Sequence, residues 1–182
     1  KEALEIAEPL AKSGEPRAAA MLGALYEAGN GVTQDLNEAV KWYTAAAEKG
    51  HAGAMFSLGM ILVEGRAGDP DIPAGRLWLE KAAARGHAAA QHNLALLYAG
   101  ATGGEPDWEL AARWFAKAAE QGFPDAQYNL GVLYEEGKGV EKSTVTAGEW
   151  FKKAAMQGLS DAALDYGIMV FRGEGVQRDE KI

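Results

Sequence analysis

The sequence predicts an all-α solenoid of tandem helix-turn-helix units, and three observations predict it. Trp42, Trp78, Trp114 and Trp150 are spaced by 36 residues each time. Within each period the apolar residues recur at helical rather than strand intervals. Glycine closes every period at one place: Gly14, Gly50, Gly86, Gly122 and Gly158. The same step links Ala18, Ala54, Ala90, Ala126 and Ala162, and it links Leu22, Leu58, Leu94 and Leu130, with Tyr166 fifth. No insertion disturbs the register, and self-similarity at such a period marks a repeat architecture.

The elements follow in order within one unit. In 125–136, Ala126, Leu130, Leu133 and Tyr134 fall at i, i+4, i+7 and i+8, one face of a first helix. Gly23, Gly59, Gly131 and Gly167 sit inside that helix, with Ala95 in the third unit. A mid-helix glycine costs about 1 kcal/mol against alanine, so close backbone approach of a neighbouring helix is the expected compensation. Asp35, Asp71, Asp107 and Ser143 then precede a second helix, where a side-chain oxygen can cap the first-turn amides. Asp35 with Glu38 approximates a capping box. In 144–157, Ala147, Trp150, Phe151, Ala154 and Ala155 make the second apolar face, and the four tryptophans are expected in the core. Gly50, Gly86, Gly122 and Gly158 fit the left-handed stop.

"AQYNLGVLYEEGKGV" followed by "AGEWFKKAAMQG" resembles the Sel1-like repeat, a relative of the tetratricopeptide repeat. The resemblance rests on L-G-x-L-Y, G-x-G-V and W-x-x-x-A-A and covers essentially the whole chain. It implies a right-handed superhelix in a single array over 1–182. Residues 1–14 are a trailing half-repeat; 15–50, 51–86, 87–122 and 123–158 are full repeats; 159–182 start a fifth. Departures are local: Leu62 replaces the tyrosine, "GRAGDP" and "AGATGGEP" replace the glycine turn, and Ser143 replaces the aspartate.

Composition bounds the function. A formal charge of −8 argues against nucleic-acid binding, which relies on clustered Lys and Arg. No apolar run approaches the roughly 18 residues of a membrane span. The absence of cysteine removes thiol catalysis, disulfides and Cys-ligated zinc. The chain starts at Lys1 without methionine, so it is expected to be a piece of a longer protein, and the compartment stays open. Family resemblance leans towards a bacterial envelope or periplasmic setting over the cytoplasm.

Candidate chemistry is thin. Gly137-Lys138-Gly139-Val140 suggests a phosphate loop, but a phosphate loop needs G-x-x-x-x-G-K-[ST] between a strand and a helix. Here a helix precedes the glycines and Lys138 aligns with Asn30 and Glu174, so the segment is a structural turn anchored by Val140, as by Val32 and Val176 in other units. His51 and His87 are repeat equivalents at an inter-unit turn; His87 and His92 are five apart, which is not ligand spacing. "DPD" at 69–71 lacks the further oxygen ligand and glycine of a calcium loop. The expectation is no metal, no cofactor and no catalytic residue. Some cysteine-rich Sel1-like proteins are described as penicillin-binding or weakly β-lactamase-like, yet Ser13, Ser57, Ser143 and Ser160 all lack lysine three residues on. A weak cell-wall hydrolase stays the enzyme alternative. Binding of a cell-wall glycan or peptidoglycan fragment through Trp108 and Tyr128 stays the ligand alternative.

The back of the first helix is where function is expected. Through the units it carries Ala20, Ala24 and Glu27; Phe56, Met60 and Val63; His92, Leu96 and Ala99; Tyr128, Val132 and Glu135; Leu164, Ile168 and Phe171. That is too apolar for free solvent, and Met21, Ser57, Asn93, Asn129 and Asp165 run beside it. In tetratricopeptide-like superhelices first helices line the concave wall, so the resemblance makes this a groove for a partner peptide or helix. Half-burial by superhelical curvature is the competing reading. The partner would be apolar or amphipathic, held through Asn93 and Asn129, with basic flanks opposite Glu27, Glu64, Glu135 and Glu136. Because a repeat cannot bury its apolar face alone, the ends are also expected to self-associate.

Overall fold

The computed structural model describes the backbone of residues 2–175 and the side chains of 4–175; Val176, Asp179 and the helix start expected at 179–182 lie outside the described residues. The described residues form ten α-helices and no strand. They are α1 (Glu2–Lys12), α2 (Pro16–Ala28), α3 (Leu36–Glu48), α4 (Ala52–Glu64), α5 (Ile72–Ala84), α6 (Ala88–Tyr98), α7 (Trp108–Glu120), α8 (Pro124–Glu136), α9 (Thr144–Met156) and α10 (Ser160–Arg172). The chain divides into two compact units, Lys1–Ala90 and Gln91–Ile182.

Each second helix starts on the side chain expected to cap it. Asp35 accepts from the amides of Asn37 and Glu38 at 2.9 and 3.0 Å, Asp71 from Ala74 at 3.0 Å, and Asp107 from Leu110 at 3.0 Å. Ser143 accepts from Thr146 at 3.2 Å. Such caps contribute about 1 kcal/mol each. The capping box at Asp35 does not close: Glu38 turns to Lys41, and the Asp35 amide donates instead to the Tyr26 carbonyl at 3.0 Å. That last bond recurs. Asp71 donates to Leu62, Asp107 to Tyr98 and Ser143 to Tyr134, at 2.9, 2.7 and 2.8 Å, so the cap's own amide latches each turn onto the helix before it.

The 137–140 segment is a stop with a second task. Gly137 lies at φ 73° and closes α8 with its amide on Leu133. Gly139, at φ 68°, presses backbone to backbone on the start of α7: a Cβ there would stand 2.0 Å from the Trp108 carbonyl oxygen. Gly175 makes the same approach to Thr144, at 2.3 Å. Lys138 pairs with Glu136 at 2.7 Å and covers the Trp108 ring at 4.8 Å.

The core is alanine and leucine under one large residue per unit. Leu22, Leu58, Leu94 and Leu130 are buried, as are Ala46, Ala82, Ala118 and Ala154. The large residue is not the repeating tryptophan. Trp42, Trp78, Trp114 and Trp150 are half-buried, and the neighbour that follows each one — Tyr43, Leu79, Phe115 or Phe151 — fills the interior. An indole at the rim keeps its N–H near water and offers a face to cations. Lys81, Lys117 and Lys153 accordingly sit 4.0, 4.2 and 3.8 Å from the rings of Trp78, Trp114 and Trp150.

That arrangement explains the mid-helix glycines differently from expectation. A Cβ on Gly23 would lie 2.6 Å from the Tyr43 ring, and one on Gly131 would lie 2.7 Å from the Phe151 ring. Side-chain rings come nearest there, with the expected backbone close behind at Gly131, where the Ala147 carbonyl lies at 3.3 Å; at Gly59 the Gly75 carbonyl stands at 3.0 Å together with Leu79.

Candidate partner-binding wall

In the first unit the wall consists of α2 and α4. Ala20 and Glu27 are half-buried, and Met21 and Ala24 are exposed. Phe56, Ser57, Met60 and Val63 of α4 are all half-buried. Phe56 stacks on His87 at 4.8 Å between ring centres and 23° between planes. Val63 fills the space over Gly75, where a Cβ would meet its Cγ2 at 2.6 Å. Glu27 is a hub: the Tyr43 hydroxyl donates to it at 2.6 Å and Arg66 at 2.8 Å. Burial first, then the Glu27 bond, hold the Tyr43 phenol far above its ordinary range, while a bond with Ser57 opposes the shift.

In the second unit the wall is α6, α8 and α10. His92, Asn93, Leu96 and Ala99 are half-buried, as are Tyr128, Asn129 and Val132, whereas Glu135 is exposed. Asn129 Nδ2 donates to His92 Nε2 at 3.1 Å, which puts the imidazole proton on Nδ1. His92 also lies against Phe115 and Phe123, at 5.6 and 5.1 Å. Burial lowers its affinity for a proton and outweighs Asp125, which acts the other way. Tyr128 packs on Phe151 and donates to Asp165 at 3.0 Å; burial and that bond raise its phenol. On α10, Leu164, Ile168 and Phe171 are exposed, Phe171 at 92%.

The predicted residues therefore share the first helices but not one environment. Phe56, Ser57, His92, Tyr128 and Asn129 each spend contacts inside the protein, whereas Leu164, Ile168 and Phe171 are exposed. Two buried polar residues escaped the sequence reading. Gln127 donates to the Ala119 carbonyl at 3.1 Å and accepts from Gln157 at 2.7 Å, and Gln91 accepts from Gln121 at 2.7 Å. The signal was present, since 91 and 127, like 121 and 157, are one period apart.

No buried side-chain polar atom of the described residues lacks a partner, and no group of three metal-ligating side chains occurs among them. No described helix is long and apolar enough to cross a membrane. The titratable groups with shifted affinities are accounted for by packing and by the hydrogen bonds above.

Successive helix pairs of near-constant length, each latched by its cap amide and sealed over a small residue, define a helical-repeat protein of the tetratricopeptide-like class. The chain belongs to the Sel1 repeat family, whose model matches residues 16–51, 52–87, 88–123, 124–159 and 160–182. It resembles the crystal structure of c5321, a protective antigen of uropathogenic Escherichia coli strains with an SLR fold, at 38% identity and TM-score 0.91. That match covers 97% of this chain and 38% of the other, so the chain spans well under half of that relative. A Sel1 repeat protein from Oxalobacter formigenes is 30% identical at TM-score 0.84, over 92% of this chain and 69% of its own. Helicobacter pylori cysteine rich protein B is 26% identical at TM-score 0.58, over 72% and 95%. No curated protein matches the chain. Proteins of Sel1 repeats are generally protein-interaction scaffolds.

Proposed function

We propose that this chain is an interaction scaffold in which the first-helix wall of a unit takes up an apolar or amphipathic peptide or helix of another protein. The observation that carries this reading is the state of the wall. Phe56, Met60 and Val63 in the first unit, and Leu96 and Val132 in the second, are apolar and half-buried, while Leu58, Leu94 and Leu130 on the other face of the same helices are buried. A half-open apolar row gains from being covered, at about 25 cal/mol per Å² removed from water. Carboxylates border the wall of each unit, Glu64 in the first and Glu135 and Glu136 in the second; all three are exposed, which favours lysine or arginine flanking the apolar segment. Asn129 gives one of its two amide hydrogens to His92, so its second hydrogen suits a peptide carbonyl and its carbonyl oxygen a peptide N–H.

The test replaces Phe56, Met60, Tyr128 and Val132 with small polar residues and compares affinity capture with the unaltered chain by mass spectrometry. Loss of one partner with helicity intact supports the wall. Retention of every partner by the folded variant removes it.

A further inference from the structure

The chain has three histidines, and all three lie on or at the start of first helices. His51 Nδ1 accepts from the Ala54 amide at 3.1 Å, and His87 Nδ1 accepts from the Ala90 amide at 3.2 Å. Both bonds need an unprotonated Nδ1, the arrangement of a neutral ring with its proton on Nε2. We propose that His51 and His87 are acid-labile caps: neutral, each closes the start of its first helix, and protonated, each releases it.

The reason is geometric. A protonated Nδ1 becomes a donor aimed at a donor, and it sets a positive charge at the helix end that already carries the positive pole. Among the described residues no ion pair joins either ring to a carboxylate. The charge that bears on His87 is that of His51, so the first proton taken up opposes the second. Burial acts in the same sense on His87. The Phe56 ring stacked on His87 acts against these, because an aromatic face attracts a cation. Beside His51 the near neighbour is backbone, with its Cε1 at 3.3 Å from a Cβ placed on Gly53.

Comparison along the repeat shows that this choice is not required by the fold. At the equivalent positions stand Glu15, whose carboxylate accepts from Arg17, and Phe123 and Leu159, which make no side-chain cap bond. Since α8 and α10 form uncapped, protonation of His51 and His87 loosens the starts of α4 and α6 without unfolding them. The segment so loosened on α4 leads into Phe56 and Met60.

The experiment titrates the whole chain from pH 7.5 to 5 while following imidazole nitrogen shifts and amide exchange by NMR. The expected result is Nε2–H tautomers at His51 and His87 at pH 7.5. Protection of the Ala54 and Ala90 amides then falls about tenfold, after correction for intrinsic exchange, as the rings protonate. In His51→Asn/His87→Asn, asparagine caps without titrating, so that loss disappears while protection at pH 7.5 stays near the original. His92→Gln, which leaves both caps in place, retains the loss. Nδ1–H tautomers at pH 7.5, or an equal loss in the double asparagine variant, overturn the proposal. The tautomer reading needs no variant, so it decides even where the double variant folds poorly.

Discussion

Lys49, Arg85, Gln121 and Gln157 occupy one position of the repeat, and Ala19, Met55, Gln91, Gln127 and Ala163 occupy another. In Lys1–Ala90, Lys49 crosses to the Gly14 carbonyl at 2.8 Å, and the wall is tied by Tyr43, Glu27 and Arg66. In Gln91–Ile182 the same level of the repeat carries two glutamine pairs, Gln121–Gln91 and Gln157–Gln127. One unit is joined largely by ions and the other largely by neutral amides. The period dictates where a polar tie is needed but not its chemistry, and the chemistry decides which conditions loosen it. Charged ties respond to salt and pH; amide pairs do not.

Removing one tie from each unit puts that difference to the test. Glu27→Ala removes the acceptor of the buried Tyr43 hydroxyl and the nearer carboxylate of Arg66, which keeps Glu64 at 3.7 Å, and we expect a loss of about 2–3 kcal/mol. Gln127→Ala removes two neutral bonds beside water-accessible Gln157, for a loss of about 1–2 kcal/mol. Urea denaturation at low and high sodium chloride separates them. The Glu27 loss should shrink with salt and the Gln127 loss should hold. Equal salt response in both variants would erase the distinction.

Alkaline titration sharpens the contrast at a smaller scale. Tyr43 and Tyr128 both have phenols raised above the ordinary value of 10.0, but Tyr43 is buried while Tyr128 is half-buried at the surface. Because the folded state holds the Tyr43 proton more tightly, the unfolded chain loses it first. The stabilisation is complete below pH 10 and declines as pH rises beyond it. The decline approaches one proton, about 1.4 kcal/mol per pH unit, in urea midpoints taken above pH 10. Tyr43→Phe should remove most of that slope, and Tyr128→Phe should change it less, since water reaches and screens a half-buried phenol–carboxylate bond.

The helix pairs, the caps Asp35, Asp71, Asp107 and Ser143, and the leucine stripe were legible because each depends on local chemistry repeated at fixed spacing. The inward residue of the Trp-Tyr, Trp-Leu and Trp-Phe dipeptides was not. Neighbours on a helix are about 100° apart, and a wide apolar stripe accepts either one. What decides is the opposite helix, where Gly23 and Gly131 leave room for the flat rings of Tyr43 and Phe151. Glutamine pairing failed for a related reason: 91 and 121 are brought together by tertiary packing, and nothing in the local pattern points from one to the other. The wall was legible in its apolarity alone. Its coverage depends on the next helix pair: Tyr128 meets Asp165 on α10, whereas Phe171 has no such neighbour among the described residues.

Two glycines bear on that covered and uncovered pair of helices directly, and one of them carries the smallest expected effect. Gly131 of α8 and Gly167 of α10 are repeat equivalents, and each costs helix propensity. A Cβ on Gly131 would collide with the Phe151 ring, whereas one on Gly167 meets nothing within 4 Å. Alanine at 167 should therefore stabilise by about 0.5–1 kcal/mol, through the lower entropy of the unfolded chain and better helix propensity. Alanine at 131 should destabilise by about 1–3 kcal/mol, because the displaced ring belongs to a fully buried residue. Opposite signs at two equivalent positions, read as shifts in the urea midpoint, would show that the glycine of the repeat is retained for the ring laid on it. Stabilisation at both would mean that Phe151 repacks freely, and then the glycine needs an origin other than close packing.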